Sequence, residues 1–456
     1  MQITDRMMID AYTGAGGFET GEYLLQHTRE TDEDYARRQA VATYRNYVVK
    51  MISAYADTLF SQPAQRSGEA PAWATLQSNV DGTGGQIDDL MYAALALAML
   101  VSPTYLIVDR PAGISLTRAD DNNRLPYVVI RGPESVAELH LSRLGQIERV
   151  VFAEDGDAQG EVVYRGWDAQ RWWVARDAKG ENLLSDEAGQ AMTGVHGLGA
   201  PPVVRLHSTR PLRKRDSRST AWARGVVSAA VDLFNRHSEA RQIEREQTVS
   251  TLALPVSDPS EAARLQQSGG VTLGVGTAVL YNPAGGGEPR FFAPSPAPLD
   301  QLYAAIEATV KEIYALANLE FVGGVQQSGV ALAFHFQAAN KTLSGLASMC
   351  EQAEIQLGRL ACAWMGENSD DVRVVYPKSF NVEDLAARIQ EDLDALSMDL
   401  GDTASKRIRQ RAARRVLGDS ATPKDYETMD AEIEAGPSVD PYQKRAEDAA
   451  DQGETP

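Results

Sequence analysis

The chain has 456 residues, enough for two to four domains and a sizeable core, so its folding needs no covalent or metal staple. Its 44 basic and 63 acidic side chains give a formal charge of −19, which argues against a protein that clamps nucleic acid by neutralising phosphates. The same sign does not exclude DNA as something passed without sticking, because a like-charged wall repels a polyanion.

Cys350 and Cys362 are the only cysteines; their spacing puts them on different faces of a helical segment, which points away from a disulfide and towards a reducing compartment. The opening "MQITDRMMIDAYTGAGG" has no apolar signal-peptide core. No run approaches the roughly 18 apolar residues of a membrane span. The expectation is a soluble chain, made in the cytoplasm.

In chain order, 32–60 ("DEDYARRQAVATYRNYVVKMISAYADTLF") reads as one amphipathic helix. Tyr35, Ala42, Tyr47, Ile52, Tyr55 and Leu59 recur at steps near three and four. "SQPAQRSGEAPAW" breaks it. An apolar helix follows over 88–101 and stops at Pro103. The period then changes: "TYLIVDRP", "LPYVVIRG", "IERVVFAEDG", "GEVVYRGWD" and "RWWVARDAKG" are β-branched and aromatic runs closed by Gly, Asp or Pro, and "VVRLH" at 203–207 is the last strand. This makes the first part of the chain α+β.

From Asp216 helix returns, with Ser217 or Ser219 as the cap and Trp222, Val226, Ala230, Leu233, His237, Ala240 and Ile243 at helical spacing. A helix over about 219–248 would be roughly 45 Å long. Its second half holds only Ala240 and Ile243 among charges, too little to bury a wide stripe, so it needs a neighbour. Residues 251–296 read as a compact insert: a short helix near 259–267, then strands around 271–281 and 289–293 joined by a glycine-rich turn. Helix resumes over 299–319, with Leu302, Ile306, Val310, Ile313 and Ala317 on one face. "EFVGGVQQSG" interrupts it, and a third long helix covers 330–364. After the strand "DVRVVYP", helices are expected at 382–399, 404–417 and 423–434, and the acidic end "GPSVDPYQKRAEDAADQGETP" is expected to be disordered. There is no fixed-period repeat.

Catalytic patterns are missing from the sequence. There is no Gly-Lys pair, hence no P-loop, and "GAGG", "GTGG" and "GGG" read as flexible turns. None of His27, His140, His196, His207, His237 and His335 pairs with another at i+3 or i+4, and no Cys-x-x-Cys or G-x-S-x-G exists. His237 and His335 read as packing or interface residues on helix faces. "ADD", "DDL" and "EDLD" read as caps or solvated faces. No catalytic residue, metal or cofactor is therefore expected.

Two basic runs stand out. "RPLRKRDSR" at 210–218 is either a solvated loop or a contact for DNA phosphates or an acidic neighbour through Arg210, Arg213, Lys214, Arg215 and Arg218. "SKRIRQRAARR" at 405–415 is a basic helix face, expected to pair with acidic helices such as 383–394 rather than with nucleic acid.

The order of helix, small insert, helix, glycine-bearing break and long helix resembles the portal proteins of tailed bacteriophages. "YLLQHTRETDEDYARRQAVATYRNYVVKMISAYADTLFSQP" looks like their N-terminal wing segment, and "YLIVDRP" with "LPYVVIRGPESV" looks like wing strands. "SAAVDLFNRHSEARQ" resembles the D-x-x-N-x-x-x-S stem helix, matched here by Asp232, Asn235 and Ser238. "LANLEFVGGVQQSGVALAFHFQAANKTLSGLA" resembles the tunnel-loop region, and "LGDTASKRIRQRAARRVLGDSATPKDYETMDAEIEAG" the C-terminal helices ahead of the crown. The resemblance runs from about residue 20 to 435 and rests on element order. The compact N-terminal part and short crown depart from it.

The resemblance implies an α+β, portal-like fold: an α/β wing over 1–218, stem helices over 219–250 and 297–317 bracketing a small α/β clip (251–296), a tunnel loop (318–330), a long helix and strand returning to the wing (331–381), a helical crown (382–435) and a tail (436–456). It implies a homo-oligomeric ring, usually of twelve subunits, at one capsid vertex of the virion, assembled in the host cytoplasm. Double-stranded DNA passes along its axis without sequence recognition. The implied partners are the terminase large subunit, head–tail adaptors, and the major capsid and scaffolding proteins, with no membrane and no catalysis. Arg236, Glu239, Arg241, Glu244, Arg245 and Glu246 would pair with the neighbouring subunit. Glu320, Phe321, Gly323, Gly324, Gln326, Gln327, Ser328 and Gly329 would line the channel. A shorter adaptor or minor capsid protein is the rival reading, and it lacks the long-helix bracket.

Overall fold

The structure is a computed structural model, and it describes residues 2–111, 124–156, 160–186, 189–248, 251–255, 260, 272–273, 276–277, 279–281, 288–292, 297–319, 329–378, 380, 401–417 and 423–435. The expected helices at 259–267 and 382–399 and the tail from 436 lie outside them. The chain divides into two compact units, Met1–Phe380 and Asn381–Pro456. The first is α+β, as its changing hydrophobic period requires.

The first unit's core is built on helices α1 (Asp5–Thr13), α2 (Gly17–Thr20), α3 (Asp32–Val41), α4 (Tyr47–Phe60), α5 (Pro71–Ser78) and α6 (Ile87–Leu100). Helix α6 is apolar around much of its circumference, and Met91, Ala94, Leu95, Ala98 and Met99 are fully enclosed, as an all-round apolar helix demands. The single helix expected over 32–60 is two helices. Chain from elsewhere holds the break open: the Tyr44 hydroxyl donates to Ala11 O (2.9 Å), Asn46 Nδ2 donates to Tyr12 O (2.7 Å), and Asn46 Oδ1 caps α4 by accepting from Val49 N (3.0 Å). Tertiary hydrogen bonds here outweigh a helical period.

After β1 (Gln65–Ser67), strands β2 (Thr104–Asp109), β3 (Tyr127–Arg131) and β9 (Val203–Leu206) form an antiparallel sheet of order β3-β2-β9. A second antiparallel sheet takes β4 (Val136–Leu141), β5 (Ile147–Asp155), β6 (Val162–Trp167), β7 (Arg171–Ala175) and β8 (Thr193–Val195) in sequential order. Strands β4 and β8 are not legible in the sequence, because neither carries a run of large apolar residues. Strand β2 is buried on both faces: Leu106 and Val108 join the helical core, while Tyr105 and Ile107 pack on Val150, Phe152 and Trp167 of the second sheet. The expected helix at 219–248 starts only at Arg224, as α7 (Arg224–Thr248). Ser219 is drawn instead to Ser102 Oγ (2.8 Å) and His207 Nδ1 (2.9 Å), so it cannot cap.

Helix α8 (Ala297–Leu316) and the 37-residue α9 (Gly329–Met365) follow, then β15 (Arg373–Val375), which pairs antiparallel with β1. Gly358 lets α9 approach α5, since a Cβ there would stand 2.8 Å from the Trp73 ring. Beside this contact, Arg66 Nε donates to Glu354 Oε1 (2.5 Å) and its Nη2 to Asp88 Oδ1 (2.5 Å). The Tyr376 hydroxyl donates to Glu354 Oε2 (2.6 Å). Glu354 has no exposed surface, and these donors satisfy its buried oxygens. Burial and the Glu354 carboxylate push the Tyr376 phenol well above its ordinary pKa, keeping it a donor.

In the second unit, α10 (Asp402–Leu417) and α11 (Pro423–Ala435) form a helical hairpin, with Lys406 Nζ donating to Glu434 O (2.7 Å) near the carbonyl end of α11. The acidic partner expected for this basic helix, 383–394, lies outside the described residues.

Removing Arg66 while keeping Glu354 strands a buried carboxylate. Arg66→Met is expected to cost about 3–5 kcal/mol in urea unfolding, and adding Glu354→Leu should recover much of that loss.

Candidate functional site

Helices α7 and α8 run antiparallel. At one end a Cβ on Gly225 would stand 3.5 Å from Leu316, and at the other the Tyr303 hydroxyl donates to Glu244. The segment between them carries a three-stranded sheet of order β13-β10-β14, from β10 (Thr251–Pro255), β13 (Val279–Tyr281) and β14 (Arg290–Phe292). Strand β10 pairs parallel with β13 and antiparallel with β14. The two-stranded ribbon of β11 (Thr272–Leu273) and β12 (Gly276–Thr277) stands beside them. The insert is thus a small sheet held between two long helices, with strands near the expected 271–281 and 289–293.

The first half of α7 sinks into the core through Val226, Val227, Ala230, Val231, Leu233 and Phe234. On α8, Ile306, Thr309 and Ile313 are buried at helical spacing, and its far end is fastened where the Tyr55 hydroxyl donates to Ala317 O (2.6 Å). The opposite side of α8 leaves Ala304, Ala308 and Ala315 exposed, while Tyr303 (42% exposed) and Leu316 (44%) flank the buried face beside α7.

The polar half of α7 has partners within its own chain. Asn235 Oδ1 accepts from Leu25 N (2.8 Å), and its Nδ2 donates to Tyr23 O (3.2 Å) and Val231 O (2.9 Å). Arg38 Nη1 donates to Ser238 Oγ (3.3 Å), Nη2 to Leu25 O (2.6 Å), and the same guanidinium grips Glu30 through Nε (2.8 Å) and Nη2 (2.7 Å). The Arg38 and Glu30 side chains are 1% and 6% exposed, so water screens little of this pair. The Arg38 hydrogen bonds hold Glu30 below its ordinary pKa, against the upward pull of burial. Asn235 and Ser238, matched through the resemblance, therefore clasp residues 23–38 to the long helix. Asp232 stays near the surface, paired with Arg236 (2.9 Å).

Of the residues assigned to subunit contacts, Arg236 thus pairs with Asp232, and Glu239 lies 3.2 Å from His27 Nε2. Arg241 Nη1 donates to Val41 O (3.1 Å) and Thr43 Oγ1 (2.6 Å), and Glu244 accepts from Tyr303. Arg245 is exposed beside a recess of about 350 Å³ that Val41, Arg241 and Glu244 also line. The Glu246 side chain lies outside the described residues. His237 is half-buried on α7, and burial together with Arg45 and Arg241 lowers its pKa, so it packs as a neutral ring.

Glu320, Phe321, Gly323, Gly324, Gln326, Gln327 and Ser328 also lie outside the described residues, while Gly329 is the first residue of α9. Just before them the chain leaves α8 through Asn318 at φ +53° and the buried Leu319.

In the basic run, Arg218 Nη1 bonds Asp5 Oδ2 (2.5 Å) and its Nη2 donates to Pro133 O (3.1 Å). Arg210, Arg213, Lys214 and Arg215 are exposed, and among the described residues none of their side chains pairs with a carboxylate. Sequence reasoning missed Arg38 and Glu30. The signal was present: Arg38 falls three residues after Tyr35 on the inward face of its helix, where an unpartnered charge would be expensive.

Among the described residues, no group of three His, Cys, Asp or Glu side chains is placed to hold a metal ion, and no helix is long and apolar enough to cross a membrane.

No protein-family model and no curated protein matches this sequence. Solved structures do resemble it. A chain from the neck of an empty GTA particle, computed with C6 symmetry, is 12% identical with a TM-score of 0.44, over 87% of this chain and 95% of that one. A chain from the virion of a native gene transfer agent particle is 13% identical with a TM-score of 0.43, over 87% and 96%. A chain from the neck of a native GTA particle, computed with C12 symmetry, is 13% identical with a TM-score of 0.42, over 81% and 88%.

The Glu30–Arg38 pair sets a pH dependence. Glu30 is held below its ordinary 4.5, so the stabilisation is complete above that pH and is lost as pH falls through the lower folded-state value. Thermal melts should find Glu30→Gln less stable than wild type at pH 7, with the gap closing in acid. Arg38→Ala should cost about 3–5 kcal/mol at neutral pH.

Proposed function

We propose that this chain is the portal subunit of a tailed-phage-like particle, a ring at one capsid vertex of the virion through which double-stranded DNA enters and leaves. The observation that carries the reading is the antiparallel pair α7 and α8 bracketing a small sheet, followed by the break before α9. In this reading the two helices are the stem and the β10–β14 insert is the clip, which offers a docking surface to terminase during packaging and to head–tail adaptors afterwards. Residues 318–330 are the tunnel loop, narrowing the channel with neutral Gln326, Gln327 and Ser328, while Glu320 discourages tight binding. Residues 402–435 belong to a short crown.

A ring closes through one heterologous interface repeated around its axis. The exposed Ala304, Ala308 and Ala315 of α8 suit close packing against a neighbouring helix. Arg236, Glu239, Arg241 and Glu244 have intrachain bonds, so their subunit contacts would be shared rather than exclusive. Arg245 and Glu246 extend that edge. The net charge of −19 suits a wall that DNA slides past. The chain itself makes and breaks no bond, and the energy for packaging comes from the terminase.

Negative-stain images of the purified chain should show rings with a central hole, usually of twelve subunits. Monodisperse monomer at high concentration from every expression host would overturn the reading. Replacing Gly323 and Gly324 together by proline should leave rings intact and lower the yield of DNA-filled particles severalfold; an unchanged yield would remove the tunnel-loop role.

A further inference from the structure

A cleft of about 920 Å³ lies between the turn joining β4 to β5, the chain entering and leaving β9, and one side of α9. Among the described residues its cations are Arg205, Lys214 and Arg359, while Glu148 is the single carboxylate on its lining. The loop that closes one rim is the basic run, where Arg210, Arg213 and Arg215 stand exposed beside Lys214. In a chain of net charge −19 this is a local reversal of sign. The rim also carries apolar side chains with nothing over them: Leu212 is 99% exposed and Leu144, on the facing turn, is 70% exposed.

The loop is held in place. Arg205 Nη2 donates to Gly145 O (2.7 Å) and its Nη1 to Asp216 O (3.2 Å), which ties the β4–β5 turn to the basic loop across the cleft floor. Gly145, at φ +81°, lies against the Lys214 backbone, where a Cβ would collide. Asp216 Oδ2 accepts from Arg213 N (2.9 Å), and Arg218 is locked to Asp5. The cations and Leu212 are therefore presented on a braced rim, which reduces the ordering cost of binding.

We propose that this cleft is a docking site for an acidic peptide segment of a second protein, one that carries a large apolar side chain among its carboxylates. The carboxylates meet Lys214, Arg359 and the loop arginines, while the apolar side chain covers Leu144 and Leu212. Nucleic acid is the poorer fit, because a phosphate backbone offers those two leucines no apolar partner. The inference rests on the cleft alone and stands whether or not the chain forms a ring.

The test is fluorescence anisotropy of the full chain with a fluorescein-labelled Glu-Asp-Leu-Glu-Asp-Leu-Glu peptide. Saturable binding that weakens with salt is expected. Lys214→Glu with Arg359→Glu should weaken it about tenfold, and so should Leu212→Asp or a peptide with serine in place of leucine. Lys214→Arg with Arg359→Lys should bind as wild type does, which separates loss of charge from loss of fold. No saturation, indifference to these changes, or equal binding of a duplex oligonucleotide lost in the same variants would overturn the proposal. So would oligomers of the chain alone, seen by sedimentation, that dissolve in the Leu212→Asp variant, since the occupant would then be a second copy.

Discussion

The pair Arg38–Glu30 is the interaction on which the long helices depend. A guanidinium this deeply buried survives only with its donors engaged, and Glu30, Leu25 O and Ser238 Oγ engage them. Because Ser238 and Asn235 belong to α7, the ion pair fastens the N-terminal segment to a helix whose later turns are too polar to hold themselves by burial. Helix α8 then lies along α7, touching it near Gly225 through Leu316 and at Glu244 through Tyr303, with Ile306, Thr309 and Ile313 buried, and the β10–β14 sheet joins the two.

A similar device anchors α9. Glu354 is fully enclosed, but Arg66, itself held by Asp88, and the Tyr376 hydroxyl occupy its oxygens. One turn along the same face Gly358 admits the Trp73 ring, and near the helix end Trp364 Nε1 donates to Val108 O (2.9 Å). Ionic, steric and hydrogen-bonded contacts together fix both the rotation and the register of α9. The later turns of α9 are thereby bound to α5, β2 and β15.

The β meander serves a different purpose. Val150 and Phe152 face β2, while Val151 meets Trp173 and Ala175 on the other side, so β5 is central to two small cores. Its turn to β4 reaches the basic loop, and Arg205 bridges the two. Charges that the sequence offers as a run thus become one rim of a cleft, opposite the turn bearing Leu144 about 70 residues earlier in the chain.

The amino-acid sequence alone determined the α+β class, the apolar α6, the strands with large side chains, the long helices and the insert they bracket. Those features are local, written in hydrophobic period and in Gly and Pro punctuation. Tertiary structure decided the rest. It cut 32–60 in two, because hydrogen bonds from Tyr44 and Asn46 to α1 outbid helix continuity. It delayed α7 to Arg224 by engaging Ser219, and made strands of 136–141 and 193–195 through pairing alone. It also turned Arg38 inward, gave the polar half of α7 its intrachain partners and set Gly145 against Lys214. Each of these rests on residues far apart in the chain, where no periodicity can record which groups will meet once water is excluded.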